Sequence, residues 1–410
     1  MSRFKSLRER ALKAIERPPE HGPDLDLSEY RIEEPGYVKE EKLSDLPSSV
    51  LEKAASVGID VEESEVSGTY FQVDYEVVRR AVVERLRKRG VVVMSIIEAL
   101  RKYDWVKDYY WRAVQVDTDK YTAVAELYLR HGYFIYVPPV VKVEEPIQAC
   151  LFVSCNNIAQ PVHNIIIVDE GSELNLVTGC VTMANKGLHV GVSEFYVKRN
   201  AKLTFTMIHG WAPRFDVRPR AAVIVEEGGT FIGYYVNLQN VKSLQAEPKI
   251  VLHRNSTSYY TNIIIGKGRS MIDIGAVLIF EGEGSRGELT SRSIIDDEST
   301  VIMRGTLMAK APRVRGHLEC KGLLLSDKAR GEAIPVLNSL SKEAELTHEA
   351  ALGRISEEEL LYLMSRGFDE EEATSLIVRG FIDVGISNLP EKVRPSVISA
   401  LDLISKLARG

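Results

Sequence analysis

The alternation of apolar and polar positions changes its period twice along the chain. From Tyr133 to about Val336, short β-branched and aromatic runs succeed one another, among them FIYV, NIIIVD, ELNLV, KLTFTMI, TFIGYYV, NIIIG and TVIMRG. No helical run separates them, so they predict strands. Before this zone the apolar residues recur at helical spacing. Phe4, Leu7, Ala11, Leu12 and Ile15 predict an amphipathic helix over Arg3 to Arg17, and further helices are expected near 48–57, 74–89, 95–103 and 119–130. The 74–89 segment has its cap signals at Asp74 and Gly90. Pro18, Pro19, Pro23 and Pro35 mark an extended linker after the first helix.

After the strand zone helical signals return. Ser356 precedes Glu357, Glu358 and Glu359, then Leu360, Leu361, Leu363 and Met364, and Gly367 closes that helix. Asp369 with Glu372 caps a second helix carrying Leu376, Ile377 and Phe381, and Pro390 and Pro395 precede a last one over 395–408. The organisation read from the pattern is a helical region with its linker over 1–132, a β core over 133–339 and a helical domain over 340–410.

A weak repeat runs through the β zone. Turn residues precede an apolar–x–apolar strand at Leu174, Leu203, Phe231, Met271 and Val301, with gaps of 29, 28, 40 and 30 residues. One turn plus two or three strands per repeat suits a coil of a parallel β-helix. A β-sandwich also supplies many short strands, and the spacing alone does not separate the two.

Composition narrows the function. The 410 residues are 45% hydrophobic and 27% charged with a net charge of −6, which argues against a nucleic-acid binder. No apolar run approaches the ~18 residues of a membrane span. Cys150, Cys155, Cys180 and Cys320 form no CxxC pair, which points to a reducing, cytoplasmic setting. No GxxxxGK[ST] loop, GxSxG elbow or HExxH motif is present, so no P-loop for ATP is expected and no enzyme is read from the motifs. The candidate chemistry rests on thiols. Cys320 in RGHLECKGLLL ends a predicted core strand, and His348 and Glu349 follow 28 and 29 residues later. Taken as residues alone, these are a buried cysteine and a cap or salt bridge.

The string HEAALGRI, then LLYLMSRG, then EEATSLIVRGF resembles the C-terminal signature of the SufB/SufD family, scaffold subunits of the SUF iron–sulfur cluster assembly system. RGVVVMSIIEALRKY, YFIYVPPVVKVEEPIQA and IIIVDEGSELNLVTGC resemble family segments upstream. The resemblance implies a right-handed parallel β-helix flanked by helical domains. It implies that Cys320 and Glu349 serve a nascent iron–sulfur cluster at a dimer interface, with His348 matching the residue that serves in the SufD-type partner. It makes Cys180 the acceptor of persulfide sulfur, and puts His209 and Trp211 on a polar path, where the family has Gln and Trp. Cys150 and Cys155 match no family position and are taken as structural.

The implied partners are a SufC-type ABC ATPase on the C-terminal helices, a second SufB/SufD-like subunit and a sulfur-donor desulfurase system, with reduced flavin left open. The chain lacks the cysteine-rich N-terminal region of longer SufB members, yet keeps Cys180 and Cys320. A SufD-like structural partner that recruits the ATPase without holding a cluster is therefore the alternative.

Overall fold

The computed structural model describes residues 2–32 and 42–386, and it is a parallel β-solenoid with helices at both ends. Two sheets form its walls. One has ten strands and the other twelve. In the ten-stranded sheet, Gly68–Val73, Ile147–Val153, Glu173–Thr182, Lys202–Gly210 and Thr230–Asn237 lie side by side. Thr257–Gly266, Arg286–Ile295, Arg315–Leu324 and Glu345–Arg354 continue the series, and every neighbouring pair among the nine is parallel.

The period comes from one stacked corner. Gly171, Asn200, Gly228, Asn255, Gly284 and Arg313 all adopt left-handed backbone, with φ between 54° and 71°. Gly and Asn are the residues that tolerate this conformation at least cost. The first five of these corner amides donate to a carbonyl one coil further on, Asn200 to Glu227 and Asn255 to Glu283 for example. Leu174, Leu203 and Phe231 indeed share one register line. Met271 and Val301 do not belong to it: they lie in the other sheet, one register apart. The 40-residue gap in the repeat is thus a jump between sheets.

Three apolar layers hold the molecule. Inside the solenoid, Leu174, Leu203, Phe231, Ile250, Leu278, Phe280, Leu307 and Leu318 interdigitate. The outer face of the twelve-stranded sheet packs against the N-terminal helices through Tyr110, Trp111, Tyr121, Ile165 and Val192. The outer face of the ten-stranded sheet is covered at one end by Val57 and Ile59 and at the other by Val378 and Ile382 of the Glu370–Ile386 helix.

Strands extend beyond both ends of the 133–339 span. The helix expected over 74–89 is instead a strand, Glu76–Val82, paired antiparallel with Gly68–Val73, followed by one short helix, Glu84–Lys88. Asp74 sits in the turn at φ 50° rather than at an N-cap. In that segment the β-branched Val77 and Val78 enter the core, and tertiary packing outweighs the helical propensity of the Arg-rich remainder. Beyond residue 339, HEAALGR is strand rather than the opening of a helical segment, because it stacks on the Cys320 strand. The helices Ser2–Ala14, Ser48–Ala55, Ile96–Lys102, Lys120–Leu127, Glu357–Ser365 and Glu370–Ile386 fall close to their expected places. The helix expected over 395–408 lies outside the described residues, as does Pro35.

Candidate functional site: a polar column inside the solenoid

A β-strand sends alternate side chains to opposite faces, so residues stacked in register make columns along the solenoid axis. One interior column reads Thr178, Met207, Tyr235, Asn262, Ser291, Cys320, Ala350. The column beside it begins with Leu151, Cys180, His209 and Asn237. Cys180 and Cys320 are both buried, on strands five steps apart, a separation of roughly 24 Å at ~4.8 Å per step.

Polar contacts mark the way between them. Cys180 Sγ lies 3.5 Å from Met207 Sδ. Tyr235 Oη is 3.1 Å from His209 Nδ1, and Asn262 Nδ2 donates to Ser291 Oγ at 3.2 Å. Trp211 stacks on Phe215 and flanks both His189 and His209. Asn237 Oδ1, Asn262 Oδ1, Ser293 Oγ and Trp211 Nε1 are buried without a hydrogen-bond partner. A buried polar atom left unmatched costs about 1–3 kcal/mol, so a core built for stability alone would carry apolar residues here. A cavity of about 50 Å³ opens along the column, bordered by Asn164, His189, Met207, His209, Tyr235 and Tyr260.

Burial sets the protonation states. It raises the Cys180 thiol far above its ordinary value and pushes Cys320 up to about 11, with the Glu319 charge adding to the second. Both are thiols at neutral pH. His189 is driven down to about 3 by burial, and His209 well below its usual range by burial and by His189. The imidazoles are therefore neutral. Neither interior cysteine meets the condition that a sulfur acceptor be an exposed thiolate. Cys155, taken as structural, is the exposed one.

At the end of the solenoid the three residues around the terminal coil separate. Cys320 pairs with Ala350, Glu349 with Glu319, and exposed His348 with Leu318. Cys320 and His348 thus share the inward face as diagonal neighbours, whereas Glu349 points outward. Lys321 Nζ holds Glu349 at 2.9 Å and Glu319 at 2.8 Å, and this hydrogen bond lowers the Glu349 pKa. Among the described residues, no three His, Cys, Asp or Glu side chains converge as a metal site. The strands Arg330–Ser339 and Glu345–Arg354 each pair on one side only, and Val336, Leu337, Leu340 and Leu352 stand exposed there.

The column escaped the sequence reading apart from its cysteines and His209–Trp211. Its signal was arithmetic: Asn262, Ser291 and Cys320 recur every 29 residues, as do Leu151, Cys180 and His209.

A parallel β-solenoid with thiols inside and an open terminal coil is the class of protein that fold and site define. The model for the SUF system FeS cluster assembly SufBD core domain matches residues 152–381, and that for the SufBD protein N-terminal region matches 52–149. A protein of Methanothermobacter thermautotrophicus named iron-sulfur cluster assembly SufBD family protein is 42% identical over 405 residues, covering 97% of this chain and 98% of its own length. One of Archaeoglobus fulgidus with the same name is 44% identical, with 87% of this chain and 95% of the relative covered. A Staphylococcus saprophyticus relative is 30% identical, with 90% and 80% covered. The chain belongs to the SufBD family of iron–sulfur cluster assembly proteins. No helix among the described residues is long and apolar enough to cross a membrane.

Proposed function

We propose that this protein is the scaffold, rather than an enzyme, on which a nascent iron–sulfur cluster is built, with Cys320 as its thiolate ligand. The observation that carries the reading is the run of buried polar side chains, Tyr235, Asn262 and Ser291 with His209 beside them, that lies in register between Cys180 and Cys320. Cys180 is buried in the closed solenoid, so sulfur uptake there requires the surrounding coils to open; His209, Tyr235, Asn262 and Ser291 then lie between it and Cys320. Iron prefers thiolate, and an imidazole or carboxylate supplements it while leaving the cargo labile.

The terminal coil supports a second subunit, a copy of this chain or a SufD-type relative. Its two edge strands offer unpaired backbone groups, and Leu340 is 73% exposed among other apolar side chains. One chain supplies Cys320 and His348 on one face and Glu349 on the other, so a complete ligand set needs a partner's residues or a lifted coil. The helices Glu357–Ser365 and Glu370–Ile386 leave Leu361 62% and Tyr362 57% exposed, which suits a docked ABC-type ATPase. No step of this route calls on a flavin. None of the four cysteines is in a disulfide, which suits a reducing, cytoplasmic setting.

Anaerobic reconstitution of the full chain with iron and sulfide is the test. Visible absorption with bound iron and sulfide in stoichiometric amounts is expected. Colourless protein that still binds the ATPase would assign it instead to the structural half of the scaffold.

A further inference from the structure

A ladder of alternating charges crosses the outer face of the ten-stranded sheet at its terminal end. Arg292, on Arg286–Ile295, donates from Nη2 to Glu319 at 2.6 Å. Glu319, on the next strand, also accepts from Lys321 Nζ, which in turn reaches Glu349 on the last strand. Cation, anion, cation, anion therefore run across three strands, each inner member shared by two partners. The first rung is shielded. Arg292 is 7% exposed, its Nε is buried without a partner, and its guanidinium lies 5.4 Å from the centre of the Phe381 ring. Phe381 belongs to the Glu370–Ile386 helix, which is seated on this sheet by Val378 and Ile382.

We propose that Arg292 is a positioning residue through which the Glu370–Ile386 helix controls whether the Glu349 carboxylate is free. This rests on the reading of Glu349 as a group that serves the cargo. With the helix seated, the Arg292–Glu319 pair is shielded from water, and Coulomb attraction there is strong. Glu319 is then divided between Arg292 and Lys321, so Lys321 keeps a share of its charge for Glu349. With the helix lifted, Arg292 is hydrated and its hold on Glu319 falls. Lys321 turns to the carboxylate that has lost a partner and releases Glu349. A helix that a docked ATPase can move thus acts on the last strand of the solenoid without touching it.

Carboxyl footprinting of the full chain reads this directly. The protein is labelled with a carbodiimide and glycine ethyl ester, and the rate at Glu349 is taken by mass spectrometry. Phe381→Ala and Arg292→Met are each expected to raise that rate about two- to fivefold, the range of one exposed ion pair. The double variant should rise no further than either single one, since both cut the same ladder. Lys321→Ala should raise it in the otherwise wild-type chain and add little in the Phe381→Ala or Arg292→Met background, where Lys321 has already turned to Glu319. Unchanged labelling in both single variants, additive effects in the double, or no response to Lys321→Ala would each overturn the proposal. Should circular dichroism show Arg292→Met misfolded, Phe381→Ala alone decides. The assay uses no iron, sulfide or ATPase, so a failure of the scaffold reading leaves its result intact.

Discussion

Cys320 and Glu349 lie on adjacent strands and on opposite faces of one sheet, because Glu349 stacks on Glu319 and Cys320 on Ala350. The two groups that the resemblance assigns to one cluster are thereby separated by the backbone itself. Any shared metal must bridge two chains or wait for the terminal coil to move.

Thiol accessibility follows from the same alternation. Cys150 packs under Val57 and Ile59 outside the sheet, Cys180 and Cys320 lie inside, and Cys155 is exposed. Iodoacetamide at neutral pH should therefore modify Cys155 alone in the folded chain, with the other three reacting only in denaturant. Peptide mass mapping checks this; fast labelling of Cys180 would mean that the interior is open to solvent.

The buried thiols also set an alkaline limit. Cys320, Cys180 and Cys150 are all raised by burial, so between the ordinary cysteine range and about 11 the unfolded chain sheds protons that the folded chain keeps. The unfolded state then binds fewer protons, and stability falls as pH rises. Melting temperature should drop from about pH 8.5 upward, and Cys320→Ala should flatten part of that slope.

At the acid end the sign reverses. His189 and His209 are depressed, so below about pH 6.5 the unfolded chain takes up protons that the folded chain refuses. Stability is lost as pH falls from there toward about 3. His209→Gln, which keeps a hydrogen-bonding side chain but cannot titrate, should melt closer to its neutral-pH value at pH ~5 than wild type does.

The seating of the last described helix is a packing matter. Ile382 is fully buried against the outer face of the sheet, and Ile382→Ala should cost about 2–5 kcal/mol locally. Hydrogen exchange should show the loss over 370–386 while the strands keep their protection, since a solenoid's coils are stabilised mainly by their neighbours. A truncation at about residue 354 should likewise leave the coils folded and remove ATPase binding, at the price of exposing the apolar patch that Val378 and Ile382 now cover.

Much of this was legible in the residues. Period-2 runs and turn residues at 28- and 29-residue spacing announced the coils, and the capped acidic segments announced both C-terminal helices. The Glu76–Val82 strand was hidden because Arg and Glu dominate the helical propensity of 74–89 while Val77 and Val78 decide its packing. The column was hidden because Asn262 and Ser291 are ordinary polar residues until a 29-residue step puts them in line with Cys320. The ladder from Arg292 to Glu349 depends on which face each residue takes, and local sequence does not state that.

Cluster retention by Cys320→Ala tests the central claim most directly. Removing this thiol deletes a small buried side chain, so the variant should fold with a stability loss of about 1 kcal/mol. After anaerobic reconstitution it should hold no stoichiometric iron and sulfide, while Glu349→Ala loses only part, a carboxylate being the harder and weaker ligand for this metal. Cys180→Ala should reconstitute with free sulfide and fail only when sulfur comes from a donor enzyme. A folded Cys320→Ala chain that retains iron and sulfide as wild type does would contradict the account.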